Sequence, residues 1–387
     1  MKFAFFSNYL SHHQKPFCDA MQALCGEDFS FVASKTINEK RLKMGWRPET
    51  APYLIPAYLS GEAERRALAL AAEADVVLLG SAPDRYLTRR LSEGKLTFRY
   101  SERLYKDGLS WKQQPRAMAS AWLHHGRFQR KPVYMLCASA YTAGDCARFG
   151  NYVGRTYRWG YFPAVPRYPD LDGLLDRKDR TTILWAGRFL PLKHPDDCVE
   201  TARRLKSVGL PFSMELIGTG ELEPELRRRV SEAGLEARVR FLGAMPPEAV
   251  RSHMERAGIY LFTSGRQEGW GAVLNEAMSS ACAVVASDAA GSTPFLVKDG
   301  DNGCIYHGTD RDALYGAVRA LLEEPERQTR LGRGAYGTMT GLWNPETAAR
   351  RILELSRAIL DGDPAPALFT DGPCSPAPQI REDWYIQ

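Results

Sequence analysis

Residues 264–280 read SGRQEGWGAVLNEAMSS, with two carboxylates, Glu268 and Glu276, and with Gly269 and Gly271 between them. An apolar run, 258–263, leads in, and a run of helix formers, 272–278, follows, so the segment reads strand, loop, helix. The glycines stand where a backbone approaches something closely, with Trp270 between them. A helix start offers unpaired N–H groups and the positive end of a dipole, which favour a phosphate-bearing ligand. Carboxylates do not hold phosphate; they accept hydrogen bonds from hydroxyls. A ligand with phosphates in its middle and hydroxyls on both sides fits the pattern, and a nucleotide sugar is such a molecule. The plain alternative is a solvated polar stripe formed by Asn275, Glu276, Ser279 and Ser280 at helical spacing. That stripe carries no Lys or Arg, which is unusual for a face in water.

A second cluster is cationic. The apolar run 182–186 predicts a strand, followed by Gly187, Arg188 and Lys193 and then a helix over 195–208. A departing nucleoside diphosphate gains negative charge, and fixed cations stabilise it in the transition state. Arg offers a planar fork to phosphate oxygens and Lys a point charge. The alternative is an exposed loop with two basic residues. A further strand, 213–217, ends in Gly218-Thr219-Gly220, but residue 223 is Glu, so the dinucleotide fingerprint is incomplete.

Glu268 and Glu276 with glycines between, the Gly187-Arg188 and Lys193 pattern, and the 218–220 glycine loop occur in the order and spacing of glycosyltransferase family 4. Over about residues 181–355 the chain resembles that family, whose members have the GT-B fold. The resemblance implies two Rossmann-like domains facing a cleft, retention of anomeric configuration and no metal. It implies that Glu268 orients the donor sugar, Glu276 holds the ribose, and Arg188 and Lys193 neutralise the diphosphate. It places Gly187, Gly218, Gly220, Gly269, Trp270 and Gly271 around the donor, and the loop between 239–243 and 246–257 around the base. The family usually has Gly and Pro where Ala281 and Ala283 stand here. Many members have a histidine near the reacting sugar at the place where this chain has Tyr100, Ser101 and Glu102, so no catalytic histidine carries over.

The 387 residues are enough for two domains. No run of about 18 apolar residues predicts a transmembrane helix. The first residues read as a buried strand, 3–6, rather than a signal peptide. Eight scattered cysteines without a Cys-x2-Cys pair predict free buried thiols. The expected location is cytoplasmic, with peripheral membrane contact as an extension. Net charge is +5 and uneven: residues 85–131 hold twelve Lys or Arg against three Asp or Glu, together with Trp111 and Trp122. This basic segment reads either as a solvated face or as a patch for anionic lipid or an anionic acceptor. No nucleic-acid module is visible, so nucleic acid is not expected as a partner.

Residues 1–162 alternate strand and helix patterns: strands over 3–6, 29–33, 75–80, 95–100 and 133–138, helices over 14–24, 62–74 and 140–149. In such sheets ligands lie past the carboxyl ends of the strands. That draws attention to the loops 7–15, 80–85 and 101–106, and to Asn8, His12, His13, Glu102 and Arg103 on the acceptor side. For Glu102 and Arg103 an ordinary ion pair is the competing reading. Adjacent histidines on a loop rarely share one ion, and Asp170-Leu171-Asp172 lies in a connector, so no metal site is expected. The connector, 157–180, contains Pro163, Pro166 and Pro169 and is the expected hinge. Residues 299–303 read as a hairpin turn, not a calcium loop. Helices are expected over 246–257, 310–323 and 345–360. The tail from 361 reads as poorly ordered, except that residues 384–386 dock.

The expected organisation is an acceptor domain, 1–165, a nucleotide-sugar domain, 166–344, a helix crossing back, 345–362, and a tail, 363–387. The expected activity is transfer of a hexose-type sugar from a UDP- or GDP-type donor to a hydroxyl on a glycan or lipid-linked acceptor, without a cofactor. Two other classes stay open: a GT-B epimerase or phosphorylase, and a non-catalytic nucleotide-sugar-binding protein.

Overall fold

A computed structural model of the chain describes residues 1–39, 42, 47–308, 310–381 and 383–385. The chain forms two compact units: Met1–Ala164 with Trp343–Arg381, and Val165–Leu342 with residues 383–385.

The first unit has a seven-stranded parallel sheet in the order β3-β2-β1-β4-β5-β6-β7. The strands are β1 Phe3–Ser7, β2 Phe29–Ala33, β3 Leu54–Pro56, β4 Val76–Leu79, β5 Thr97–Ser101, β6 Val133–Cys137 and β7 Thr156–Arg158. β1, β4 and β6 are buried along their whole length, which is why they read as unbroken apolar runs. The last helix, Pro345–Leu360, belongs to this unit and packs against Lys15–Cys25.

The second unit has six parallel strands in the order β10-β9-β8-β11-β12-β13. They are β8 Asp179–Ala186, β9 Ser213–Ile217, β10 Val239–Gly243, β11 Ala257–Phe262, β12 Ala283–Ser287 and β13 Cys304–Tyr306. Counted within the unit this is the order 3-2-1-4-5-6, the doubly wound Rossmann arrangement, with its crevice where β8 and β11 lie side by side. The core of this unit is aliphatic and aromatic: Ile183, Trp185, Leu216, Ile259, Leu261 and Val285 form its centre.

Two expectations are corrected. The tail is not poorly ordered between 371 and 377. Arg158 N–H donates to Ser375 O at 2.8 Å, Ala377 N–H to Thr156 O at 2.9 Å, and Tyr157 pairs with Pro376 in an antiparallel bridge. The sequence there is rich in Pro and Gly, but β7 is an edge strand and its free backbone groups supply partners. Residues 299–303 turn the chain without forming a hairpin, because β13 pairs parallel to β12. The Asp170-x-Asp172 pair opens a helix: Asp170 caps Leu171–Asp176 by accepting from Gly173 N–H at 2.7 Å, and Asp172 pairs with Arg333. At the end of the chain, Tyr385 donates to Ile305 O at 2.8 Å; Ile386 lies outside the described residues.

All eight cysteines are free, and all but the half-buried Cys25 are buried. Among the described residues, no helix is long and apolar enough to cross a membrane.

Candidate functional site

In the second unit the loops that follow β8 and β11 leave the sheet side by side, because their strands are neighbours. Backbone bonds tie these loops together. Gly265 N–H donates to Leu192 O at 2.8 Å, and Thr263 Oγ1 donates to Lys193 O at 2.6 Å. Trp185 Nε1 donates to the same Thr263 hydroxyl at 2.9 Å from inside the core. The effect is to fix the backbone at Lys193. Its ammonium pairs with the carboxylate of Glu268, and each side chain keeps only 15% of its exposure. The adjoining Arg188 is exposed. Thus one cation, one exposed guanidinium and one carboxylate share the carboxyl edge of the sheet at its crevice.

The glycine loop after β9 supports this edge from below. Gly187 N–H donates to Ile217 O at 2.9 Å and Phe189 N–H to Thr219 O at 3.0 Å. Gly218 sits at φ 130°, and a Cβ there would lie 1.8 Å from Gly187 O. A Cβ on Gly220 would lie 2.4 Å from Phe189 O. These two glycines are therefore required by loop-on-loop packing, whatever else they touch.

In the loop after β11, Gly271 has φ 85°, and a Cβ on it would meet the Phe262 ring at 2.4 Å. Gly269 is buried. Trp270 is fully buried, and its indole N–H donates to Asn275 Oδ1 at 2.8 Å. The Trp270 side chain is thus an internal anchor for the loop, which corrects its expected place around the donor; only its backbone can take part there. The helix that follows is Val273–Ser279. Its polar residues are not a solvated stripe: Asn275, Ser279 and Ser280 are buried, the two serine hydroxyls donate to Glu276 O, and Arg251 donates to both hydroxyls at 3.1 Å. Glu276 alone among them keeps partial exposure. Ala281 ends the helix at φ 56° with Cys282 N–H on Ala277 O and Ala281 N–H on Met278 O, a left-handed cap that usually takes glycine.

In the first unit the singled-out residues lie on loops after β1 and β5. Asn8 turns its Oδ1 onto Tyr9 N–H at 2.8 Å. The His12 and His13 rings lie 4.0 Å apart, and His13 stacks at 6.4 Å on Tyr161. Tyr161 donates to Glu102 Oε1 at 2.6 Å, and Lys106 bonds Glu102 Oε2 at 2.5 Å. Burial, then Tyr100 and Glu102, push the Tyr161 phenol well above its ordinary range, so it stays a donor. Tyr161 joins the two loops and was not singled out from the sequence; its only signal was an aromatic among the connector prolines. The Arg103 side chain turns away from Glu102 and Tyr161 into the interior: it is 7% exposed, 4.6 Å over the Tyr141 ring and 3.8 Å from Asp145 Oδ2. That ion pair is interior, so the competing reading of an ordinary surface pair does not hold for Arg103, while Glu102 and Lys106 do form a half-exposed one.

Residues 171–338 match the family model described as "Glycosyl transferases group 1". The chain is 30% identical over 184 residues, 46% of its length and 48% of the relative's, to the GDP-mannose-dependent alpha-(1-6)-phosphatidylinositol monomannoside mannosyltransferase of Mycolicibacterium smegmatis. It is 28% identical over 178 residues, 45% of its length and 44% of the relative's, to the amylovoran biosynthesis glycosyltransferase AmsK of Erwinia amylovora. The matched region spans about half the length of these curated relatives. Among solved structures, Anabaena Alr3699/HepE in complex with UDP superposes with a TM-score of 0.67 at 16% identity, over 92% of this chain and 100% of that one. Sucrose-phosphate synthase from Thermosynechococcus elongatus gives 0.64 at 18%, over 93% and 99%. At such identity the likeness shows the fold, the GT-B class with two Rossmann-like α/β domains. Residues 171–338, less than half of the chain, are thus similar to the family of glycosyl transferases group 1.

Proposed function

We propose that the chain is a retaining glycosyltransferase that moves a hexose-type sugar from a UDP- or GDP-sugar to a hydroxyl, in polysaccharide or glycolipid assembly. The observation that carries this reading is the Lys193–Glu268 pair at the crevice of the second unit, with the exposed Arg188 on the same loop as Lys193. On donor binding Lys193 and Arg188 take diphosphate oxygens, and Glu268 turns to a sugar hydroxyl. Glu276 takes the ribose from the exposed side of its helix. Two fixed cations supply the charge stabilisation that a divalent metal gives elsewhere, so no metal is required. The relatives' names support the class: one is a GDP-mannose-dependent mannosyltransferase, and a structural neighbour was solved with UDP. The first unit is the acceptor side, through Asn8, His12, His13 and Glu102. The basic segment 85–131 is proposed to meet an anionic or lipid-linked acceptor on a membrane surface.

The test is donor turnover with labelled UDP- and GDP-sugars, in wild type and in Arg188→Ala and Lys193→Ala. Removing one such charge is expected to lower kcat by about 10²–10³-fold. Donor affinity should change much less, because the charge grows mainly in the transition state. Unchanged turnover in both variants removes the mechanism. Release of a free sugar isomer without any glycoside points instead to an epimerase.

A further inference from the structure

The basic segment is not one uniform surface. Arg90 is fully buried, and its guanidinium donates to the carbonyls of Ala71, Ala74, Asp75 and Leu96. Arg99 and Arg103 are 7% exposed. Arg85, Arg89 and Lys106 are each paired with a glutamate. What remains is residues 108–131, which contain Lys112, Arg116, Arg127, Arg130 and Lys131 and no Asp or Glu. Among the described residues, none of Lys112, Arg116, Arg127 and Arg130 is in an ion pair.

The helix in this stretch, Gln114–His124, is built inside out. A surface helix normally turns its large apolar residues to the core. Here the only buried residue is the small Ala121. The large apolar side chains face away from the fold: Trp111 is 76% exposed, Met118 58%, Trp122 63% and Leu123 46%. Met118 and Trp122, four apart, lie on one face of the helix, and Trp111 stands in the turn just before it. Lys112 lies 5.5 Å over the Trp111 ring at its end.

We infer that residues 111–131 form a docking face for an anionic lipid bilayer, with Trp111, Met118 and Trp122 entering the interface and Lys112, Arg116, Arg127 and Arg130 meeting headgroup phosphates. Tryptophan suits the boundary between headgroups and acyl chains, because its ring is apolar and its N–H is polar. Cations without an ion-pair partner suit a negative surface, each adding about a fivefold gain in affinity close to it. The two features are needed together: apolar side chains alone would also suit a protein partner, and cations alone would be a solvated face. The docking face rests on the transfer reading for its purpose, which is to meet a lipid-linked acceptor; the binding itself needs no catalysis, so the two can fail separately.

The test is flotation of the full chain with vesicles of phosphatidylcholine alone and of phosphatidylcholine with phosphatidylglycerol. Donor hydrolysis without vesicles is measured in parallel. The wild type is expected to float with the anionic vesicles only, and to be released as salt rises. Trp111→Ser with Trp122→Ser should weaken flotation by roughly tenfold or more. Lys112→Ala and Arg130→Ala should each weaken it about fivefold. All these side chains are exposed, so circular dichroism and hydrolysis should match the wild type. Equal binding to neutral vesicles, or a Trp variant that floats like the wild type, overturns the inference. So does a concentration-dependent dimer that the Trp variant abolishes while flotation is absent. Flotation as expected with no donor hydrolysis in any variant leaves the docking face standing and removes the transfer reading.

Discussion

The two units use the same sheet order at their switch points, and the loops that carry their candidate residues are held in different ways, although the first unit also has a backbone junction where Lys35 N–H donates to Asn8 O at 2.7 Å. In the second unit the loops after β8, β9 and β11 are joined backbone to backbone. Gly187 meets Ile217, Phe189 meets Thr219 and Gly265 meets Leu192, and glycines allow the approach at 218 and 220. In the first unit the loops after β1 and β5 are joined through side chains, by His13 on Tyr161 and Tyr161 on Glu102. A backbone junction fixes residue type, because only glycine fits. A side-chain junction can be rebuilt from many residue types. The family match, at 171–338, falls within the second unit.

The sharpest break of the comparison is one methyl group. Gly218→Ala would place a Cβ 1.8 Å from Gly187 O and force φ 130° on a residue that rarely adopts it. Both faults sit in the same junction, and neither neighbour is a flexible side chain. The expected loss is roughly 3 kcal/mol or more, read as a lower thermal transition, with loss of nucleoside diphosphate binding. The matched control is Gly80→Ala, after β4 in the first unit, whose Cβ would meet the Tyr100 ring at 3.2 Å. It should cost about 1 kcal/mol, because a ring edge can shift. Equal losses in the two variants would erase the contrast.

The same contrast explains what could be read from the chain alone. Buried parallel strands showed as apolar runs at 3–6, 75–80, 182–186 and 258–263, because both faces of each strand are covered. The Val273–Ser279 helix and its glycine loop were legible since φ and close approach dictate residue type. Trp270 was not: an aromatic between two glycines looks the same whether it stacks on a ligand or plugs the core, and only Asn275 as its partner decides. Helix Pro325–Gly341 was missed because Gly332, Gly334 and Gly337 blur its pattern, although Gly332 and Gly334 let it pack close to Ala281 O and Asp301 O. The ordered tail was invisible because its partner is an edge strand far away in sequence.

A smaller effect sharpens the first unit's side of the comparison. Tyr161→Phe keeps the ring against His13 and removes the hydroxyl that serves Glu102. Stability should fall by about 1 kcal/mol, since Glu102 keeps Lys106. Donor hydrolysis should be unchanged, while the acceptor KM rises several-fold. A fall in donor hydrolysis would mean that Tyr161 serves the donor and not the acceptor side.

The smallest expected effect concerns the place where the second unit does without a glycine. Ala281 holds φ 56° in the cap of Val273–Ser279, a conformation that costs an L-residue about 1–2 kcal/mol. Ala281→Gly removes that strain. It also gives up a methyl packed with Leu174, Leu175 and Tyr336, worth about 0.8 kcal/mol, and frees the unfolded chain by about 0.5–1 kcal/mol. The terms nearly cancel, so stability should change by less than about 1 kcal/mol in either direction, read from the thermal transition. Ala277→Gly, one turn earlier with ordinary helical φ, has no strain to release and should lose about 1.5 kcal/mol. If both substitutions cost the same, the left-handed cap carries no strain. The glycine rule that separates the two units would then hold at the crevice loops and not at the helix end.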